Sequence, residues 1–365
     1  MQLKRTSYGI AKALIVALNV LLSALTILAA YGGIFDTARM QIPAIIAMTF
    51  PAFLILQVVS LAINILWFKR MALVNVATLA ICWPSIATYC PIRLSDNKSA
   101  DADAPTFSLM TYNVLNLNEY RTPATDFGYN RTLNYILKAD PDIVALQECA
   151  DISAGASITK SQVDSICKRY PYRSMGENGQ SLLSKYPFKK LPIDIDDNSS
   201  FNVKAYQLTI DTLEVTLLNV HLQSIGLTDS DKELYRQLTK GKTRRDELDE
   251  IKTGLLDKLS AAFIARAGQA AIVRHALDSI KGTVILCGDF NDIPGCYAQR
   301  TIMGDDMHDA FREAGKGPAI TYHANRLYFR IDHILYRGPL EPLKVSRPKF
   351  PSSDHYPLIA TFAIE

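Results

Sequence analysis

No two cysteines in this chain stand two residues apart, and none joins histidine at zinc-finger spacing. Cys82 and Cys90 fall in an apolar N-terminal region, and Cys149, Cys167, Cys287 and Cys296 lie beyond it. Thiolate metal centres and CxxC redox chemistry are therefore excluded. Buried free thiols are expected, with one disulfide among the later four open if that part lies outside the cytoplasm. An excess of one charge is missing too. A net charge of +3 over 365 residues, with a pI near 8.4, is too mild to imply nucleic-acid binding by bulk electrostatics. No internal repeat or low-complexity tract is present. The third absence is of Asp, Glu, Lys, Arg and His inside three long apolar runs. An ion or proton path across a membrane would need such groups, so a small transporter is disfavoured.

The runs are Ala13 to Tyr31, Ile42 to Phe68 and Met71 to Ile92, each near the ~20 residues that a spanning helix needs. Pro43, Pro51, Gln57 and Asn64 interrupt the second, and Asn75 and Pro84 the third. Neighbouring helices can satisfy the backbone groups that proline frees. Two alternatives stand against three spans. A cleaved leader would be cut near Ala29–Ala30, but the first run is longer than a signal core and two more runs follow. A buried soluble helical domain would need a polar face that the first run lacks. Lys4, Arg5 and Lys12 precede the first span, and Lys69 and Arg70 fill the turn between the second and third. The positive-inside rule then puts the N-terminus and that turn in the cytoplasm and everything after the third span outside. Arg39, Arg93 and Lys98 on the outer side are accompanied by Asp36, Asp96, Asp101 and Asp103.

Three parts are thus expected: a membrane region at 1–94, a polar linker at 95–104 and a soluble domain at 105–365. In the last, short apolar or alternating runs read as strands: Phe107–Tyr112, Ile143–Gln147, Ser181–Ser184, Val203–Ile210, Val215–Val220, Thr283–Cys287, Ile331–Tyr336 and Leu358–Ala363. Helical stretches lie between them at Tyr129–Ala139, Ile158–Tyr170 and about Asp246–Ile280. The mixture suggests an α/β protein of two layered sheets with helices outside.

Polar residues fall in a pattern. Asn113 ends the first strand, Gln147-Glu148 the second and His221 a later one. Thr283–Cys287 runs into Gly288-Asp289-Phe290-Asn291, Asp332-His333 follows Ile331, and Ser353-Asp354-His355 precedes the last strand. Strand ends on one sheet edge can converge on one site. A site of carboxylates, carboxamides and imidazoles suits a hard cation such as magnesium. On a phosphate ester such a cation neutralises charge and polarises phosphorus, while a carboxylate or His–Asp pair takes a proton from water.

The ordered segments TYNVLNLN (111–118), IVALQE (143–148), NVHL (219–222), CGDFND (287–292), IDHIL (331–335) and SDHYP (353–357) resemble the endonuclease/exonuclease/phosphatase superfamily. That is the fold of deoxyribonuclease I, exonuclease III, neutral sphingomyelinases and inositol polyphosphate 5-phosphatases. The resemblance spans the soluble domain and leaves out the membrane region. It implies a four-layer α/β sandwich, here preceded by three transmembrane helices, with the site at one end of paired sheets. It also implies residue roles. Glu148 would be the principal metal ligand with Asn113 beside it, and Asp354 would assist. Asp289 and Asn291 would hold the attacking water and the phosphate. His355, paired with Asp332, and His221 would contact the phosphate. The cofactor would be Mg2+, with Mn2+ an alternative. The His-Leu pair at 221–222 is shared with deoxyribonuclease I, sphingomyelinase and tyrosyl-DNA phosphodiesterase relatives.

The bland readings are turns for Asn113, Asp289 and Asn291, a surface position for Glu148, a core imidazole for His221 and a strand cap for Asp332. His333 is expected to point away from the site, and His275, His308 and His323 to lie at the surface or in packing. Two stretches depart from the family pattern. Gln180 replaces its usual Asn, and no carboxylate is evident to support His221. Arg236, Lys240, Lys242, Arg244 and Arg245 form a basic run followed by Asp246, Glu247, Asp249 and Glu250 on an amphipathic helix. This is either a self-balanced solvated face or a clamp for anionic headgroups, with Arg266 and Gln269 as weaker candidates for the clamp. The expected activity is hydrolysis of a phosphate ester (nucleic acid, phospholipid or sphingolipid headgroup, or sugar phosphate) at a membrane, with the bilayer as the other partner and no protein partner. A catalytically silent scaffold of the same fold is the alternative, and it predicts decayed motifs where these keep their polar residues.

Overall fold

The structure, a computed structural model, describes residues 2–93, 104–120, 127–176, 178–192, 201–228, 230, 231, 233, 245–324 and 328–365. The expected linker, but for Ala104, and the basic residues Arg236, Lys240, Lys242 and Arg244 lie outside the described residues.

The apolar runs become α1 (Gln2–Tyr31), α2 (Ile42–Ala47), α3 (Phe50–Trp67), α4 (Lys69–Ile81) and α5 (Trp83–Tyr89). The second run is therefore two helices, broken at Met48–Thr49 ahead of Pro51. The third bends by 61° between α4 and α5, ahead of Pro84. Proline lacks the N–H that would continue the ladder. Two helices are long and apolar enough to cross a membrane, or three if the bent pair is one span. Their inner faces share polar side chains. Asn64 Nδ2 donates to Asn19 Oδ1 and to Asn75 Oδ1, both at 2.7 Å, and Ser60 Oγ donates to Asn19 Oδ1 at 2.7 Å. Gln57 Nε2 donates to Ser23 Oγ at 3.3 Å. Interhelical bonds of this kind are worth roughly 0.6–2 kcal/mol each in a bilayer. They fix the register of α1, α3 and α4. Nearer the α1 C-terminus, Tyr31 Oη donates to Ile81 O at 2.5 Å.

Twelve strands are described: β1 (Thr106–Asn113), β2 (Ile143–Gln147), β3 (Tyr172–Ser174), β4 (Ser181–Ser184), β5 (Phe188–Leu191), β6 (Asn202–Ile210), β7 (Leu213–His221), β8 (Thr283–Asp289), β9 (His308–Asp309), β10 (Asp332–Arg337), β11 (Leu340–Ser346) and β12 (Leu358–Ile364). They form two six-stranded mixed sheets, β11-β12-β1-β2-β4-β3 and β5-β6-β7-β8-β10-β9. The soluble-part helices are α6 (Arg131–Ala139), α7 (Lys160–Arg169), α8 (Arg245–Ser279), α9 (Tyr297–Met303) and α10 (Ala310–Ala314).

Alternation along the strands builds the layers. On β1, Phe107 and Leu109 face the second sheet and pack in one core with Leu208, Leu217, Ile285 and Ile334. Met110 and Tyr112 turn outward onto Leu133 and Ile136 of α6 and Ile166 of α7. On β8, Ile285 and Cys287 face inward, while Val284 and Leu286 meet Ala270, Val273 and Leu277 of α8. The result is helix, sheet, sheet, helix.

The membrane region is seated on the outer helix layer. Ala47 of α2 is buried in the same core as Ala270, Val273 and Leu286. Thr37 Oγ1 donates to Phe263 O of α8 at 3.1 Å, and Arg330 donates to Thr88 O at 2.8 Å. Gly33 lies so close to the chain ahead of α9 that a Cβ there would stand 2.0 Å from Gly295 O.

Candidate active site

Topology decides which residues meet. β1 and β2 are parallel, with Asn113 opposite Gln147, so Asn113 and Glu148 leave one edge of the first sheet together. β7 and β8 are parallel in the second sheet, with His221 opposite Asp289. Antiparallel β10 starts where β8 ends, which sets Asp332 opposite Asp289. β12 likewise starts at this edge, Leu358 opposite Thr111, so Ser353-Asp354-His355 arrives there as well. Carboxyl ends of parallel strands are the usual place for a site in α/β sheets.

The side chains form a connected set. Asn113 Nδ2 donates to Glu148 Oε1 at 3.0 Å and to Asp289 Oδ2 at 3.1 Å, which links the two sheets. Asp289 Oδ2 is also 3.7 Å from His221 Nε2 and 3.6 Å from His355 Nε2. His355 Nδ1 is 2.8 Å from Asp332 Oδ2. Asp354 is half-buried, its Oδ1 3.2 Å from Ser353 Oγ. Asn291 N donates to Asp289 Oδ1 at 2.8 Å, but the Asn291 amide is turned to Leu222 O at 2.9 Å. Six of the eight expected residues thus present their side chains to one another, and Asp354 is next to His355 in sequence. Asn291 instead ties the loop after β8 to the end of β7.

Two of the eight non-glycine residues with positive φ among the described residues lie here. Glu148 and Asn291 hold φ of +50° and +52°. Such left-handed conformations in non-glycine residues cost on the order of 1–3 kcal/mol and cluster at functional sites. Gly288 is required for another reason: β7 passes so near that a Cβ would lie 1.9 Å from Val220 O.

Burial by itself would lower the pKa of His355. The carboxylates of Asp332 and Asp289, with Asp354 beyond, outweigh it and raise the value to about 10. These carboxylates favour the protonated ring when no cation is bound beside it. His333, one residue from Asp332, has the opposite fate. Burial and then Arg330 push it down to about 4, and its neutral ring lies between Gln299 and Asp292 O, at 3.1 and 3.0 Å. It points away from the site, as its place in the alternation implies. His323 stacks on Tyr356 at 4.0 Å between ring centroids, and His308 pairs with Glu313.

Several supporting residues were not singled out from the sequence. Ser353 Oγ donates to Asn113 O at 2.7 Å and joins the two motifs that carry Asn113 and His355. Tyr322 packs edge-on to His355, 5.1 Å between centroids. Thr321 Oγ1 accepts from the backbone N of Ile331 and Asp332. Arg266, weighed above as a headgroup clamp, is buried instead. Its Nε donates to Asp292 Oδ2 at 3.1 Å and its Nη1 to Gln223 O at 3.0 Å. Gln269 is turned inward too, accepting from Gln223 N at 2.8 Å. Gln180, in place of the family's Asn, is buried and donates to Asn202 O and Asn219 O, both at 3.0 Å. All six cysteines are free.

Asp289, Asp332 and His355 offer ligand atoms within 4.8 Å of one another, a cluster able to coordinate a metal ion. Two observations fit a hard divalent cation. The buried Asp332 Oδ1 has no hydrogen-bond partner among the described residues. Glu148, Asp289, Asp332 and Asp354 bring four carboxylates to this edge, and oxygen donors of this kind are what magnesium-class ions take.

The family model described as Endonuclease/Exonuclease/phosphatase family matches residues 110–355, well over half of the chain. A second model, for a domain of unknown function, matches residues 12–89. No curated protein matches. Among solved structures, an endonuclease/exonuclease/phosphatase family protein from Bacteroides thetaiotaomicron is 14% identical, with a TM-score of 0.48 over 72% of this chain and 99% of that one. Truncated Caenorhabditis elegans TDP2 is 19% identical, with a TM-score of 0.44 over 71% of this chain and 98% of that one. ANGEL2, a 2',3'-cyclic phosphatase, is 16% identical, with a TM-score of 0.45 over 75% of this chain and 100% of that one.

Proposed function

From the premise that the chain belongs to the endonuclease/exonuclease/phosphatase family, we propose that it hydrolyses phosphate esters with magnesium, using residues 105–365 as the catalytic domain and 1–94 as its anchor. It is a metal-dependent phosphoesterase held in the bilayer by apolar helices. The observation that carries the finer reading is the chain of contacts from Glu148 through Asn113 and Asp289 to the His355–Asp332 pair.

In this reading Glu148, Asn113 and Asp354 would hold the cation, and the neighbouring Asp289–Asp332–His355 cluster, itself able to coordinate a metal ion, is left to the phosphate and the water. When bound, the cation neutralises phosphate charge and polarises phosphorus. The His355 imidazolium holds a non-bridging phosphate oxygen, and Asp332 fixes its ring and charge. His221 binds the opposite side of the same phosphate. Asp289 lies between the two imidazoles, where it can take a proton from an attacking water. Asn291 keeps the loop after β8 closed on the end of β7, so that Asp289 stays aimed.

Orientation follows from charge. The catalytic domain is docked to the loop between α1 and α2, whereas Lys69 and Arg70 start α4 at the far end of the spans. Basic residues at that far end favour the cytoplasm, so the catalytic domain faces outward. Such placement admits a lipid headgroup, an extracellular nucleic acid or a soluble sugar phosphate as substrate.

The test uses the full chain in vesicles, assayed on sphingomyelin, plasmid DNA, RNA and inositol phosphates. Activity is expected with magnesium, weaker with manganese and lost in EDTA. Glu148→Gln is expected to weaken metal affinity and rate together. Full activity after exhaustive chelation overturns the cation's role.

A further inference from the structure

Helix α8 changes character along its length. Up to Lys258 it is densely charged, but from Leu259 to Val273 the only charged residue is Arg266, which is turned inward and buried against Asp292. Ala262, Phe263, Ala267, Ala270 and Val273 bury the inward face as well. The outward face of the same stretch is Ala261, Ile264, Gly268, Ala271 and Ile272, with Ile264 46% and Ile272 40% exposed. A helix lying in water puts charge or amide on that face. This one offers none for fifteen residues, about 22 Å of helix at 1.5 Å per residue. A helix without a polar side is one that something covers.

What covers it follows from where α8 is tied. The loop from Gly32 to Gln41 joins the first spanning helix to the next apolar segment, so it sits at the membrane surface by necessity. It contacts α8 within this stretch, through the Thr37 hydroxyl on Phe263 O. Ile264 is the next residue. The loop itself exposes Ile34, Phe35 and Met40, the first and last by more than half. Exposed apolar side chains thus continue from the spans, across a loop that also carries the Asp36–Arg39 ion pair, onto α8.

We infer that residues 259–273 of α8 lie along the bilayer surface with Ile264 and Ile272 among the lipid chains, so that α8 is a membrane contact beyond the spanning helices. The inference does not depend on the reaction assigned above. It has a consequence for that reaction. The inward face of the same stretch holds the backbone just after His221, through Gln269 and Gln223, and the loop after Asp289, through Arg266 and Asp292. One helix diameter, roughly 10–12 Å, then separates this edge of the active site from lipid.

The experiment reads the surroundings of single positions in the intact chain. Ile264→Cys, Ile272→Cys and, in the charged part of the same exposed face, Asp257→Cys are each made with Cys90→Ser and Cys167→Ser. Each is labelled with bimane and reconstituted into phosphatidylcholine–phosphatidylglycerol vesicles. Nitroxides on the lipid acyl chains should remove most of the emission at 264 and 272 and little at 257, and aqueous iodide should do the reverse. Iodide quenching at 264 and 272 equal to that at 257 overturns the inference. So does shielding from both quenchers with dye self-quenching that grows with protein-to-lipid ratio, since a second copy then covers the face.

Discussion

At the scale of single residues, the His355–Asp332 contact is the most specific claim of the site. The ring nitrogen and carboxylate are 2.8 Å apart and both residues are buried, so each has one orientation. If the pair acts as one unit, His355→Ala is expected to lower the rate on the order of a hundredfold or more, the scale of general acid–base groups. Asp332→Asn should lose most of the same factor, and the double variant little more than the worse single. Multiplying effects in that cycle would remove the pair from the mechanism. These residues were legible in the sequence because each ends, follows or precedes an apolar run, as His221 ends β7 and Asp289 ends β8. What could not be read was which polar neighbours serve them. Ser353 and Asn113 are 240 positions apart, and nothing local announces that one hydroxyl bonds the other's carbonyl. The bond from the Asn291 amide to Leu222 O is equally silent, since the two residues are 69 positions apart.

At the scale of elements, long alternating strands were evident and short edge strands were not. β3, β5 and β9 escaped because few residues carry each pattern and pairing with a neighbour supplies the rest, as in Tyr172–Ser174 against β4, and the seven-residue β11 because Pro342 and the register shift beside it break its alternation. Proline gave no advance notice of whether it would be absorbed or would break a helix. The long helix α8 is legible from its spacing, but the inward turn of Arg266 is not, because its partner Asp292 lies in another element. That pair makes α8 a brace. Arg266 grips the loop that follows Asp289 and carries Asn291 with Nε, and the segment just after His221 with Nη1. Arg266→Met leaves the buried Asp292 carboxylate uncompensated and is expected to cost about 3–5 kcal/mol. It should also lower kcat more than it raises KM, because substrate-binding groups remain while their aim is lost. Arg266→Lys should restore part of both, since charge returns without the planar fork. Chemical denaturation and steady-state kinetics on the same preparations check this; a stability loss with unchanged kcat would make Arg266 purely structural.

At the scale of the whole molecule, topology and docking are two separate claims. A C-terminal alkaline phosphatase fusion is expected to be active and a C-terminal green fluorescent protein fusion dark, because Lys69 and Arg70 lie at the opposite end of the spans. The reverse pattern would place the catalytic domain in the cytoplasm and leave its contacts with the anchor untouched. The sequence divided the chain at about residue 95, and composition supported a clean cut. Packing blurs it: Ala47 belongs to a core otherwise made of residues from 201 to 335, and Arg330 reaches back to Thr88. Ala47 and its loop leave the ribosome well before those residues do. The membrane-inserted segment is then already in place as a template while the second sheet and α8 are still being made. Folding of the later part can proceed by accretion onto a fixed surface at the lipid boundary, so a chain synthesised without that surface would have to find its outer helix layer unaided, more slowly and with more aggregation along the way.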